Sequence, residues 1–324
     1  MDFYAPRDAR GAFFRSVLLE KRHDLCYNRL TYYARRVCLK KGGGSMSVLL
    51  AILLGLVQGV TEFLPVSSSG HLSLLQTLFH VEYSEEQHLL FNVLLHLGTL
   101  AAICFAYRED LKKMSKGGVR LLRGQMDFSI FGDPLIPATR QLLCLLVGLL
   151  PLIPVLLLNR YISALFSMPG FIGFAFIANG FLLFVCDRLI RAGNKTARTI
   201  TPADGFWIGL AQACAVLPGL SLMGATLTTA LSRGCSRSYA MRFSLLLSIP
   251  AVAGGLIVSL VRCISTGVQW SFLPAYLIGF AVSALAGFAA IRLLRTVMRR
   301  GRFGHLSTYC WAVGALTIVL SVLL

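Results

Sequence analysis

Two long apolar stretches in this chain are broken near their middle by residues that a lipid-facing helix does not tolerate. Residues 47–80 contain Leu64-Pro65-Val66-Ser67-Ser68-Ser69-Gly70, and residues 205–231 contain Leu217-Pro218-Gly219-Leu220-Ser221. Each break frees backbone N–H and C=O groups that hydrocarbon cannot satisfy, so it must be buried in protein or line a wet cavity. Six further apolar runs, at about 88–107, 141–158, 169–187, 241–262, 273–293 and 307–324, approach or exceed the ~20 residues that cross ~30 Å of hydrocarbon. Hydrophobic residues are 56% of the 324 and charged ones only 14%, too few polar groups to cover a soluble domain of this length. The expected fold is an all-α polytopic membrane protein: about six spanning helices plus two re-entrant helix–loop–helix hairpins.

Charge orders these segments. If each hairpin returns to the side it entered from, the loops 108–140, 188–204, 232–240 and 294–306 share one side. The first carries Arg108, Lys112, Lys113, Lys116, Arg120, Arg123 and Arg140, and the last Arg295, Arg299, Arg300 and Arg302. The opposite loops, 159–168 and 263–272, hold Arg160 alone. Positive-inside sorting then puts the basic loops in the cytoplasm. The net charge of +17 belongs to this asymmetry, and nucleic acid is excluded as a partner because no helix-turn-helix or zinc-finger spacing accompanies it. The nine cysteines are scattered, without a Cys-x-x-Cys pair, and read as small apolar residues of helices rather than disulfides or metal ligands.

Residues 1–45 stand apart as a basic N-terminal extension. They are rich in Arg and Lys, lack an apolar core and end in Lys40-Lys41-Gly42-Gly43-Gly44-Ser45 before Met46. Two readings stay open: a mis-assigned start with Met46 the true one, or a basic arm lying on anionic lipid. The membrane domain is 46–324. Within it Leu56, Gln58, Leu64, Pro65 and Ser68 recur as Leu210, Gln212, Leu217, Pro218 and Ser221, and Phe91, Leu94, Leu95 and Ala101 as Phe243, Leu246, Leu247 and Ala253. The expected organisation is an inverted-topology repeat, about 47–158 and 205–293, whose broken hairpins meet near the bilayer midplane.

The first hairpin concentrates polar residues in the wrong solvent: Gln58, Thr61, Glu62, Ser67, Ser68, Ser69 and His71. A carboxylate at membrane depth is a functional candidate by default. Gln58 and Glu62, four apart, share a helix face. Three serines before Gly70 and His71 present hydroxyls, backbone N–H groups and an imidazole at a helix start, a set suited to phosphate. A helix cap with inter-helix hydrogen bonds explains one or two of these residues but not Glu and His together. His96 alone reads as a packed histidine more readily than a catalyst. Arg233, Arg237 and Arg242 fit either positive-inside cations or partners of phosphate.

The run Gly55-Leu56-Val57-Gln58-Gly59-Val60-Thr61-Glu62-Phe63-Leu64-Pro65-Val66-Ser67-Ser68-Ser69-Gly70-His71-Leu72 closely resembles the first signature of the undecaprenyl-diphosphate phosphatase family, the bacitracin-resistance type. Arg242-Phe243-Ser244 with Leu246-Leu247-Ser248-Ile249-Pro250-Ala251 resembles the segment after its second signature, and the likeness covers 46–324. It implies a multi-pass enzyme of the bacterial inner membrane that hydrolyses a C55 polyprenyl diphosphate, recycling the carrier for peptidoglycan synthesis. A divalent cation, Mg²⁺ or Ca²⁺, and a homodimer are implied with it. By position, the resemblance makes Glu62, Ser68, His71 and Gln58 catalytic, with Glu62 and Gln58 also at the metal. Ser67, Ser69, Gly70, Pro218, Gly219, Ser221, Thr226 and Arg233 are expected to face phosphate. The second signature departs: Pro218-Gly219-Leu220-Ser221-Leu222-Met223 has leucine where the family carries a phosphate-binding arginine and methionine where it carries serine. Leucine gives diphosphate no bidentate, permanently charged partner. The rival readings are therefore a polyprenyl-phosphate carrier and an inactive homologue.

Overall fold

Residues 47–78, 85–123, 137–188, 191–266, 270–300 and 303–323 are described by the computed structural model; the basic extension 1–45 lies outside them. Among the described residues no strand forms, and six helical segments are long and apolar enough to cross a membrane: Leu89–Ala106, Pro137–Leu157, Pro169–Arg188, Arg237–Val261, Trp270–Arg299 and Gly304–Leu323. The chain is an all-α, multi-pass membrane protein.

In order, the helices are α1 (Val48–Phe63), α2 (Ser68–Leu78), α3 (Glu85–Ala106), α4 (Arg108–Leu122), α5 (Pro137–Leu149), α6 (Leu152–Leu157), α7 (Asn159–Leu165), α8 (Pro169–Arg188), α9 (Pro202–Cys214), α10 (Leu222–Ser232), α11 (Arg237–Thr266), α12 (Leu273–Arg300) and α13 (Gly304–Leu323). The run expected at 141–158 is divided between α5 and α6 at Leu150-Pro151. Proline has no N–H for the helix ladder and its ring crowds the carbonyl four residues back. The expected loop 159–168 contains the short α7. Helix α12 continues past its apolar run to Arg300, so Arg292, Arg295 and Arg299 ride on a helix rather than a loop.

Helices pack closely where glycine removes the side chain. A Cβ on Gly55 of α1 would lie 2.7 Å from the Gly279 carbonyl of α12, and one on Gly173 of α8 2.9 Å from the Gly314 carbonyl of α13. Small residues at such contacts let backbones approach where lipid supplies no hydrophobic drive between helices. The largest buried cluster joins Ile103, Leu145, Ile208, Leu227, Phe243 and Leu294, drawn from α3, α5, α9, α10, α11 and α12. Cys104, Cys144, Cys186, Cys214, Cys235 and Cys310 are free thiols.

Contacts gather the four basic segments at one end of the bundle, as their charge predicts. Arg242 pairs with Asp110. The Arg295 guanidinium lies 5.4 Å from the centre of the Tyr107 ring. The Phe303 N–H donates to the Asp187 carboxylate at 2.9 Å. Lys195 N–H donates to the Gly234 carbonyl and Ser236 N–H to the Lys195 carbonyl, both at 3.0 Å, so the start of α9 and the end of α10 lie side by side.

That junction is held by Asp204, which is fully buried. Lys195 Nζ donates to both its oxygens at 2.9–3.0 Å and Arg233 Nε to Oδ1 at 2.9 Å. Thr201 and Asp204 also form a reciprocal capping box at the start of α9. Burial pushes the carboxyl up, but hydrogen bonds from Lys195, Thr201 and Arg233 outweigh it and hold the group below its ordinary value of 3.8. Folding thus lowers this pKa. The stabilisation is complete at neutral pH and is lost as pH falls below about 4 through the folded value. Asp204→Asn is expected to destabilise the detergent-solubilised protein by about 2–4 kcal/mol at pH 7, because it leaves two cations beside an uncharged amide. Thermal unfolding at pH 7 and pH 3 checks this; the gap between variant and parent should narrow at the lower pH.

Candidate functional site

The two broken stretches form helix–break–helix pairs whose breaks touch. The first pair is α1–α2. Its helix α1 ends at Phe63, the Leu64 N–H still reaches the Val60 carbonyl at 3.3 Å, and the chain then turns through Pro65 and Val66. Ser67 turns it into α2 with φ of 69°, a left-handed conformation unusual for a residue with a side chain. In the second pair, α9–α10, Gly219 does the equivalent at φ 96°. Ser221 then caps α10, its hydroxyl accepting from the Gly224 N–H at 3.1 Å. A Cβ on Gly70 would stand 3.0 Å from Gly219 Cα and 2.7 Å from the Phe176 ring. Nothing larger than glycine fits where the two tips meet.

Both tips seat on α8. A Cβ on Gly219 would lie 2.6 Å from the Ile172 carbonyl and from Ala175 Cβ. Asn179, fully buried, spans the pair: its Nδ2 donates to the Pro65 carbonyl at 2.9 Å, and its Oδ1 accepts from the Ser221 N–H at 3.1 Å. One amide thus satisfies an orphaned carbonyl of the first break and an orphaned N–H of the second.

Around the first break the structure brings together Gln58, Glu62, Ser68 and His96. Ser68 Oγ donates to Glu62 Oε2 at 2.6 Å. Gln58 Nε2 lies 3.0 Å from the same oxygen and 2.8 Å from His96 Nδ1. Two amide hydrogens therefore serve two acceptors, which assigns the neutral His96 proton to Nε2. His96 Nδ1 is 3.8 Å from Glu62 Oε2, near enough for an ion pair once protonated. Gln58 is fully buried, and its Oε1 has no hydrogen-bond partner among the described residues.

His71 does not join this cluster. Its Nδ1 lies 2.6 Å from the Ser67 carbonyl, which can only accept, so Nδ1 carries the proton. Its Nε2 is 2.7 Å from the Tyr309 hydroxyl, which donates to it. Both ring nitrogens are occupied in the neutral form. Ser67 and Ser69 lie beside each other, their hydroxyls 3.4 Å apart, and the Gly70 N–H donates to Ser67 Oγ at 3.3 Å. Pro218, Gly219 and Ser221 stand at the second tip. Thr226 is buried one turn into α10 with its hydroxyl donating to the Leu222 carbonyl at 2.8 Å.

Arg233 is a correction. It sits at the far end of α10, about 18 Å of helix from Ser221, and its guanidinium is committed to Asp204. Arg242 is likewise committed to Asp110. Three residues join the site without having been expected there. Asn179 and Tyr309 sit in runs read only as spans, and His96 has a packed-histidine reading. The signal for Asn179 was a lone amide inside 169–187, and for His96 a titratable ring at membrane depth.

No group of three or more His, Cys, Asp or Glu among the described residues could hold a metal. Oxygen donors of another kind are present: Glu62 is engaged through Oε2 only, and Gln58 Oε1 is a buried acceptor without a donor. Such a hard, oxygen-only pair fits Mg²⁺ or Ca²⁺, which take carboxylate and amide oxygens.

Asn179→Leu should destabilise the fold by about 2–5 kcal/mol, since it leaves the Pro65 carbonyl and Ser221 N–H buried without partners. Asn179→Asp, which when protonated can still donate to Pro65 and accept from Ser221, should cost less. Thermal unfolding in detergent ranks the two.

Comparison with known proteins bears on this site as a whole. Residues 51–316 match the family described as bacitracin resistance protein BacA. An undecaprenyl-diphosphatase of Carboxydothermus hydrogenoformans is 33% identical over 278 residues, covering 85% of this chain and 98% of that protein. One from Syntrophotalea carbinolica is 36% identical, covering 85% and 100%. One from Methanosphaera stadtmanae is 34% identical, covering 86% and 100%.

Proposed function

We infer that this chain, which belongs to the bacitracin resistance protein BacA family, hydrolyses undecaprenyl diphosphate to undecaprenyl phosphate and inorganic phosphate, and so recycles a lipid carrier. The relatives, matched over nearly their full length, carry the name of that activity. Within the chain, the observation that carries the reading is the Ser68 hydroxyl donating to Glu62 at 2.6 Å, directly at the helix break. The carrier and inactive readings have no comparable support.

In this reading the diphosphate head sits at the start of α2, where the Ser68 and Ser69 N–H groups have no intrahelical acceptor. The prenyl tail stays in lipid. Ser68 Oγ attacks the terminal phosphorus; the new O–P bond forms as the bond to the bridging oxygen breaks, and undecaprenyl phosphate leaves. The Ser68 proton passes to Glu62, which already accepts it as a hydrogen bond. Water then hydrolyses the phosphoserine. In the variant mechanism Ser68 holds a water that attacks instead. His96, through Gln58, is placed to tune the charge of Glu62. His71 is the less suited base, because a proton could reach Nε2 only after Tyr309 moved. A divalent cation held by Glu62 and Gln58 would offset the anionic charge of the diphosphate.

A homodimer enters the reading from the family resemblance alone. The reading also takes α1–α2 and α9–α10 as re-entrant hairpins of an inverted repeat. Its support is that none of the four helices exceeds 16 residues, about 24 Å, short of the ~30 Å needed to span. The adjacency of Lys195 to Gly234 points the same way for the second pair.

Phosphate release from undecaprenyl diphosphate by purified protein is the test. Glu62→Gln should cut turnover by roughly 10²–10⁴, and His96→Ala should cost more than His71→Phe. Ser68→Ala should be as severe as Glu62→Gln if serine is the nucleophile; a tenfold loss would indicate bound water instead. Leu222→Arg should raise turnover by about tenfold or more through a restored phosphate clamp. A parent protein without turnover that Leu222→Arg does not rescue would sink the hydrolase reading.

A further inference from the structure

The basic end of the bundle holds a second feature that the Glu62 site does not use. There α4, the start of α5, the segment 196–198 and the start of α11 line an open cavity of about 760 Å³. Lys113, Lys116, Arg120, Arg198 and Arg242 line it, and the acid among the lining residues, Asp110, is taken by Arg242. No carboxylate among the described residues lies within ion-pair distance of the other four cations. Positive-inside sorting alone would place Lys and Arg here, but it would not explain what lies beneath them.

Three donors of the cavity wall are buried without a hydrogen-bond partner among the described residues: Gln141 Nε2, the Tyr239 hydroxyl and Arg242 Nε. Gln141 is 2% exposed and Tyr239 6%. A donor buried without an acceptor is costly, and proteins seldom leave one so. Here three such groups belong to residues of one cavity wall, and all can donate. What they require is a ligand rich in acceptor oxygens. Four exposed cations without an ion-paired carboxylate favour a ligand that carries more than one negative charge. A monocarboxylate answers neither demand. A phosphate or diphosphate group answers both, with several oxygens for guanidinium, ammonium, amide and hydroxyl.

We propose that this cavity is a binding site for a phosphate-bearing anion, separate from the Glu62 site. The proposal does not depend on hydrolysis. A free inorganic anion and the headgroup of an anionic phospholipid share this chemistry, since the cavity lies where the spans end.

Two probes separate these sources: titration calorimetry of the full-length protein in detergent with inorganic pyrophosphate at low salt, and native mass spectrometry with phosphatidic acid. Lys116 and Arg198 are exposed, so Lys116→Gln/Arg198→Gln should fold and should bind at least roughly tenfold more weakly. Tyr239→Phe, which removes only a hydroxyl, should weaken binding a few-fold. Glu62→Gln should leave it unchanged, and so should Lys112→Gln, a cation of α4 outside the cavity wall. Saturable pyrophosphate binding with this pattern identifies a free-anion site. Retention of phosphatidic acid alone, with the same pattern, identifies a headgroup site. The proposal is overturned if neither probe binds saturably, if Glu62→Gln abolishes binding, or if Lys112→Gln weakens it as much as the double variant does.

Discussion

A helix interrupted inside a membrane leaves backbone groups that lipid cannot accept, and here two interruptions satisfy each other through Asn179. Its amide donates to the Pro65 carbonyl and accepts from the Ser221 N–H. Each break would be costly alone, because the freed groups could find neither water nor helix. Joined across one side chain, they become a fixed joint that seats both tips on α8. The left-handed Ser67 and Gly219 follow from this joint: each turns its chain sharply enough to start the next helix within a few residues. The close contact of Gly70 with Gly219 follows as well.

The joint also sets the chemistry. By returning α2 beside α1, it brings Ser68 onto Glu62, six residues earlier, and Gln58 and His96 complete the cluster. A carboxylate at this depth is tolerable because it accepts from an amide and a hydroxyl at once. The sequence counterpart of Gln58 in the second half, Gln212, is buried with neither polar atom partnered among the described residues. Val216, four residues on, provides no carboxylate. The two broken stretches thus share a helix, a left-handed turn residue and a second helix, yet differ in chemistry.

Much of this was legible in the sequence. The six spans follow from length and hydropathy, and the common side of the basic loops from charge, because the membrane imposes both rules on each segment separately. The Gln58–Glu62 pair was legible because helical spacing of four is local. What was not legible depends on distant partners. Asn179 lies 114 residues from Pro65 and Tyr309 238 from His71; no local pattern announces such pairs. The role expected for Arg233 failed for the same reason. Its charge was visible, but the buried Asp204 that claims it was not.

Leu222, at the position where the resembled signature carries arginine, is to be set against what surrounds it. Met223, beside it, is 1% exposed and packed in the main buried cluster with Leu227, Ala230 and Leu231. The second tip has been filled with apolar packing rather than merely stripped of polar groups. Its position does not suffer, since Ser221 and Asn179 hold it through backbone and amide contacts that neither substitution touches. Neither Arg233 nor Arg242 is free to supply the missing charge, because each is bound to its own carboxylate. Under the proposed mechanism, stabilisation of a phosphoryl group then falls to the first broken stretch: the N–H groups at the start of α2 and a cation at the oxygens of Glu62 and Gln58. Backbone N–H groups stabilise an oxyanion without being ionised themselves. In the proposed mechanism such a site keeps Ser68 and Glu62 in place while losing electrostatic strength, so the loss should appear in the rate of hydrolysis before it appears in the fold.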